Sequence, residues 1–164
     1  MALRLITCIL LILVPARLTG VMAGTAAPML EGTATVIDGD TIEIHGQRVR
    51  LDAIDAPESR QQCWAGDGDI YPCGRRSAFA LANKIGRAPV SCTPKGRDRY
   101  RRIIAVCMSA GTNLNGWMVE QGWAVAFRKY GIDYIAHEEQ ARSAARGMWQ
   151  GRFEMPWEWR ASNR

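Results

Sequence analysis

The chain is poor in the residues that build transition-metal centres. It has two histidines, His45 and His137, and no Cys-x-x-Cys pair, so a zinc site is weakly supported. There is no internal repeat, which argues against a solenoid, and no low-complexity linker, which argues against tethered domains. No apolar run reaches the roughly 20 residues of a membrane span. Residues 5–14 are apolar apart from Thr7 and Cys8, and Pro15 and Arg17 then interrupt them. Excess charge is modest too. Arg4 and Arg17 supply two of the net +5, leaving +3 for the remainder. That is compatible with an anionic partner without demanding one. What is present is ordinary globular material, 48% hydrophobic and 23% charged, enough for one modest domain with its own core.

Residues 1–23 read as a secretory leader. Arg4 gives a positive start, residues 5–14 an apolar run, and Val21-Met22-Ala23 a small-residue cleavage site before Gly24. An uncleaved anchor is the competing reading. Cys8 lies inside the apolar run, the wrong place for lipid attachment. Export, to periplasm or medium, changes how the cysteines are read. Without Cys8 four remain, Cys63, Cys73, Cys92 and Cys107, an even number in an oxidising compartment. Of the three pairings, Cys63–Cys73 is favoured because it closes a Gly-rich loop. Cys92–Cys107 is favoured because it ties two strands flanking Gly96.

Residues 24–31 read as a flexible entry segment. Residues 33–37, 41–44 and 47–51 read as strands, the last two joined by a tight turn at His45-Gly46. Alternation puts Val49 and Leu51 on an apolar face and Arg48 and Arg50 on the other. Residues 58–74 form a long loop. A helix spans 75–85, strands 88–93 and 103–108, and a helix capped by Asn113 ends at Gly122. Residues 123–127 are extended and a last helix covers 133–146. This order predicts an α+β, mainly β domain: a five-stranded barrel of the oligonucleotide-binding type with about three packed helices.

Two constellations carry chemistry. Asp38-Gly39-Asp40-Thr41 is followed at hairpin distance by Arg50 and then by Asp55-Ala56-Pro57-Glu58. A hairpin centred on His45-Gly46 returns Leu51 opposite Asp40, so Asp40 and Asp55 converge. Paired carboxylates favour a hard cation, and a nearby guanidinium suits phosphate. The second is Lys95-Gly96-Arg97-Asp98-Arg99-Tyr100-Arg101-Arg102, a basic turn with a ring that can pack a base or sugar.

With these residues in view, the chain resembles the thermonuclease, or staphylococcal-nuclease-like, family over residues 32–149. Residues 38–58 match its Asp-Gly-Asp-Thr and Arg-x₄-Asp-x-Pro-Glu signature. Asp98-Arg99-Tyr100-Arg101-Arg102 matches the second signature except at Arg101, commonly glycine in the family. The resemblance implies a calcium-dependent endonuclease acting on DNA and RNA and leaving 5′-hydroxyl and 3′-phosphate ends. It implies calcium ligation by Asp40, Asp55 and the carbonyl of Ala56. Asp38 and Glu58 would act through water, and Arg50, Glu58 and Arg102 would occupy the catalytic positions. It also implies an aromatic nucleotide wall at Phe127 or Tyr130. Arg99, Tyr100 and Arg101 are read as nucleic-acid contacts. Arginine at 101 poses a question, because glycine there supplies a positive φ. Either the turn changes and displaces Arg102, or it tolerates arginine and gains a phosphate contact. The second is preferred.

The domain is bounded at residues 32–150. The remainder, 151–164, is an aromatic tail expected to pack back on the domain rather than to bind a partner. His45 reads as an exposed turn residue and His137 as a surface or capping group. Trp117, Trp123 and Trp149 read as core or docking residues. The mature form is expected to be a monomer with no stable protein partner and not to be membrane-embedded. Alternatives left open are a non-catalytic nucleic-acid-binding module and an envelope accessory protein.

Overall fold

The computed structural model describes residues 28–163. The leader read over residues 1–23 lies outside them. Strands β1 (Leu30–Gly32), β2 (Ala34–Asp38), β3 (Thr41–Ile44) and β4 (Gln47–Leu51) come first. After them come β5 (Ile54–Asp55), β6 (Cys63–Trp64) and β7 (Ile70–Tyr71), then α1 (Cys73–Ile85). Strands β8 (Val90–Arg97), β9 (Ile103–Ser109) and β10 (Thr112–Asn113) lead into α2 (Leu114–Glu120). The chain ends with β11 (Val125–Ala126), α3 (Ile135–Ser143), a 3₁₀ turn (Gly147–Gln150) and α4 (Pro156–Ser162).

The main sheet runs β1-β8-β9-β4-β3-β2, with β10 beside β9. It is mixed, because β4 and β9 run parallel. Among the described residues it does not close on itself, so the expected five-stranded barrel is corrected to a seven-stranded open sheet with two small two-stranded ones, β5–β11 and β6–β7. The extra main-sheet members come from short segments that alternation cannot resolve. One is β1, which pairs Leu30–Gly32 with Val90–Cys92 and makes strand of residues assigned to the flexible entry. The expected three helices become four. Pro156 at the first turn starts the fourth, inside the segment read only as a tail.

Local chemistry explains the elements that place the site. His45 and Gly46 have φ of 51° and 73°, as a two-residue hairpin with right-handed strand twist requires. The register that follows pairs Thr41 with Arg50 and Ile42 with Val49. Ile42, Ile44, Val49 and Leu51 are then fully buried, and Arg50 faces the other way. Pro94 and Gly96 bracket a bulge in β8 beyond the reach of β1, where β8 is an edge and a missing N–H is harmless. Asn113 caps α2 by accepting from the Gly116 N–H at 3.2 Å. The side chain of buried Asn115 satisfies the Cys107 N–H and the carbonyls of Asp52 and Ala105, fastening α2 to the sheet.

Both favoured disulfides are present, Cys63–Cys73 and Cys92–Cys107. The second joins directly opposed residues of β8 and β9. The first closes the β6–β7 loop and belongs to a second apolar cluster with Tyr71, Val125 and Met148, against which Trp149, Phe153, Met155 and Trp157 pack. The tail therefore folds back on the domain, as expected. It is held there by the Trp64–Arg152 backbone bridge and by a 2.7 Å hydrogen bond from Gln61 to the Glu154 carbonyl.

Candidate active site

The hairpin lays Asp40 and Arg50 side by side, and the Leu51 N–H donates to the Asp40 carbonyl at 2.8 Å. The chain then turns through β5 to bring Asp55 back. Arg50 spans the two carboxylates: Nη1 donates to Asp40 Oδ1 at 2.7 Å and Nη2 to Asp55 Oδ1 at 2.8 Å. The predicted convergence of Asp40 and Asp55 is thus present, and a guanidinium bridges it. Asp40 also accepts from Thr41 Oγ1 and from the Ala56 N–H, both at 3.0 Å. Asp38 accepts the Asp40 N–H and shapes the Gly39 turn. Gly39 is needed because a Cβ there would strike Ser77 of α1 and Ala56.

Asp55 is fully buried and Asp40 nearly so, at 0% and 3% exposure. Burial pushes the carboxyl of Asp40 above its ordinary pKa against the pull of Arg50, with Asp38 adding to the rise. Burial also raises Asp55, opposed by its hydrogen bond from Arg160 and assisted by Asp40. Both acids resist ionisation unless positive charge stays near. Burial opposes the charge on Arg50 as well, yet Asp40 and Asp55 raise its pKa.

Glu58 is half-exposed on the same rim. Gln61 accepts its N–H at 3.2 Å, and Gly74 packs on its backbone so closely that a Cβ there would collide with the Glu58 carbonyl. Glu58 meets Asp55 only through Arg160, which sequence reasoning missed. Arg160 Nη1 donates to Glu58 Oε1 at 2.8 Å and to Asp55 Oδ1 at 3.1 Å, and Nη2 donates to Asp55 Oδ2 at 2.7 Å. Burial works against its charge, and the bonds to Asp55 and Glu58 overcome this and raise its pKa. Nothing in the spacing of Trp157-Glu158-Trp159-Arg160 signals this role.

The basic turn closes the opposite side. Asp98 Oδ1 accepts the backbone N–H groups of Tyr100 and Arg102, and its Oδ2 holds Arg102 Nε at 2.7 Å. Arg102 Nη1 then stands 3.4 Å from Thr41 Oγ1, beside Asp40. Burial tends to raise Asp98, but the bonds from Arg102 prevail and hold its carboxyl below the usual range. Arg101 takes a positive φ of 67° and its carbonyl accepts from Arg97. The turn accommodates arginine where the resemblance has glycine, and Arg102 lines the cleft.

Asp38, Asp40, Arg50, Glu58, Asp98, Arg102 and Arg160 line one open cleft of about 1000 Å³ with Arg48, Arg97, Lys129, Trp157 and Trp159. Asp55 is buried beneath it, and Arg101 does not line it. Tyr100 is exposed, with Arg99 and Arg102 against its ring at 4.9 and 5.6 Å. Phe127 packs edge-on with exposed Tyr130 at 5.0 Å and stacks with Trp157 at 5.4 Å. Both aromatic candidates therefore reach the cleft, and one face of Phe127 is covered by α4. Among the described residues, no three His, Cys, Asp or Glu side chains form a group that could hold a metal ion. His45 is an exposed turn residue with Nε2 near the Glu31 carbonyl, and His137 packs on Tyr134. Neither lines the cleft.

Residues 48–151 match the family model described as staphylococcal nuclease homologue. The chain is 42% identical over 136 residues to a succinoglycan biosynthesis protein, ExoI, of Rhizobium meliloti (strain 1021), covering 80% of this chain and 70% of that protein. It is 33% identical over 147 residues to a micrococcal nuclease of Shigella flexneri, covering 79% of each. It is 35% identical over 133 residues to an uncharacterized endonuclease of Escherichia coli, covering 76% of this chain and 80% of the other. With a family model matching more than half its length, and with these identities, the chain belongs to the staphylococcal nuclease homologue family.

Proposed function

We propose that the protein is an exported endonuclease that hydrolyses phosphodiester bonds of DNA and RNA in a calcium-dependent reaction, leaving 5′-hydroxyl and 3′-phosphate ends. The observation that carries this reading is the bridge of Arg50 between Asp40 and the buried Asp55, with Arg50, Glu58 and Arg102 lining one cleft.

The donor chemistry suits calcium, which takes hard oxygen ligands. Asp40 and Asp55 would hold it through carboxylates and Ala56 through its carbonyl, with Asp38 and Glu58 acting through water. A bound cation there would supply a Lewis acid for the phosphate oxygens and the positive charge that the two buried acids require.

The chain's own groups divide the remaining work. An arginine has five N–H donors, and three contacts from Arg50 leave donors free for a phosphate oxygen. Arg102 faces the same space from the opposite wall. Attack of water on phosphorus gathers negative charge on the equatorial oxygens, where the two guanidinium groups stabilise it. Glu58 orients that water and receives its proton. The new P–O bond forms as the bond to the 5′ oxygen breaks, and solvent water supplies the proton that makes that oxygen the 5′-hydroxyl. Arg99, Tyr100, Arg101 and Arg97 hold flanking phosphates and a base, and Phe127 and Tyr130 form the aromatic wall.

Two disulfides and the leader-like residues 1–23 support export. No helix among the described residues is long and apolar enough to cross a membrane. We read the mature form as a monomer that acts on its substrates without a stable protein partner.

One observation favours a second reading. Arg160 covers Asp55 and Glu58, as it would in a non-catalytic nucleic-acid-binding module. Cleavage of a short single-stranded DNA by the disulfide-intact protein, with calcium and then with chelator, separates the two. Glu58→Ala run in parallel excludes a contaminant. The enzyme reading expects calcium-dependent cutting that falls 10²–10³-fold or more in the variant. No cutting by the folded protein refutes it.

A further inference from the structure

The tail brings a third guanidinium into the cleft. Asp55, at 0% exposure, receives Arg50 on Oδ1 and Arg160 on both oxygens, so both of its oxygens are already engaged by guanidinium groups. The same Arg160 nitrogen that touches Asp55 Oδ1 also holds Glu58 Oε1. We infer that Arg160 is an internal cation that competes with a divalent ion for Asp55 and Glu58, and that α4 is the strap that carries it. This inference rests on the calcium reading of the site.

Three further observations point the same way. First, α4 covers both functional surfaces at once. Its Arg160 lies on the acids, and its Trp157 stacks on Phe127 with rings 18° from parallel, where a base would otherwise lie. Second, the attachment is uneven. The tail is pinned as far as Glu154 by the Trp64–Arg152 bridge and by Gln61, near the Cys63–Cys73 disulfide. Among the described residues, the only hydrogen bonds from α4 to the chain outside the tail are those of Arg160. Third, a helix of seven residues has little stability of its own, so its seat depends on the packing of Pro156 and Trp157 and on the Arg160 contacts. The fold thus contains a plug on a short helix that follows a pinned segment, and a divalent ion would compete for the acids that the plug covers.

A plug of this kind lowers apparent affinity by the fraction of molecules in which it is withdrawn. The test titrates calcium into the full disulfide-intact protein by calorimetry, for wild type, Arg160→Ala and Trp157→Ala. Trp157→Ala loosens α4 without touching Asp55. Hydrogen exchange over residues 156–162 is followed with and without calcium. The expected result is binding at least tenfold tighter in Arg160→Ala, a gain of the same sign in Trp157→Ala, and faster exchange of α4 in wild type when calcium is added. Equal or weaker binding in Arg160→Ala, or exchange that calcium does not change, overturns the competition while leaving the calcium site standing. Binding by none of the three proteins overturns the calcium reading and this inference with it.

Discussion

Replacing Arg50 by alanine should destabilise the protein in a strongly pH-dependent way, quite apart from its effect on cleavage. The side chain is 16% exposed and its partners 4% and 0%. Removing one member of such a buried pair typically costs about 3–5 kcal/mol, because the other charge is left uncompensated. Here Arg160 still neutralises Asp55. The stranded charge is that of Asp40, so the lower end, about 3 kcal/mol, is expected. For a domain of this size each kcal/mol moves Tm by roughly 3 °C, so the melting point should fall by about 9 °C near pH 7 in chelator. The pH dependence follows from Asp40. Its carboxyl is already raised above 3.8 by burial, with Arg50 pulling it down, so losing Arg50 raises it further. A raised carboxyl favours the folded state while protonated and withdraws that support as pH rises through the folded pKa. The deficit of the variant should therefore be greatest at neutral pH and shrink toward pH 3.8. Calorimetric melting across that range reads this directly, and Arg50→Ala combined with Asp40→Asn should recover most of the loss. A deficit that is constant with pH, or a double variant no more stable than the single, refutes the stranded-charge account.

Arg101→Gly should be tolerated or mildly stabilising. Its φ of 67° costs an L-residue roughly 1–2 kcal/mol, against about 0.5–1 kcal/mol of extra chain entropy for glycine. If the side chain contacts phosphate, the slope of log affinity for single-stranded DNA against log salt should also fall by about 0.7. A loss of stability, or an unchanged salt slope, counts against these two expectations respectively. Asp98→Asn should lower stability by about 1.5–3 kcal/mol at neutral pH through its lost charge-assisted bonds. A carboxyl held below 3.8 stabilises above that pH and loses its contribution as pH falls through its folded value. The stability gap between the two proteins should therefore start to narrow only below about pH 3.8 and close under the folded value, and a gap that does not narrow as pH falls would contradict the assignment.

The site's floor was legible because its geometry is local. His45-Gly46 fixes a two-residue turn, the turn fixes the register of β3 on β4, and the register puts Arg50 beside Asp40. Each step follows from backbone chemistry within about fifteen residues, as does the return of Asp55. The Cys92–Cys107 bridge was legible for the same reason, since two strands around a short turn must oppose those positions. Strand count was less legible. Strand β1 owes its conformation to pairing with β8, about sixty residues away, and three residues carry too little alternation to announce it.

Arg160 marks where that kind of reasoning stops. It reaches Asp55 across 105 positions, and the steps between are tertiary. Cys63–Cys73 closes the β6–β7 loop, Trp64 of that loop pairs with Arg152, Gln61 catches Glu154, and Pro156 then starts a helix whose fifth residue is the arginine. No residue in that sequence of contacts carries a motif, and each is an ordinary packing solution. Electrostatics nevertheless left a trace. Asp38, Asp40, Asp55 and Glu58 set four carboxylates against Arg50 within one short stretch of chain, and two of them are buried. Such a cluster needs further positive charge. The sequence leaves open whether an ion or another part of the chain supplies it. In this fold the chain supplies Arg160, so any cation at Asp55 must first contend with a side chain already seated there.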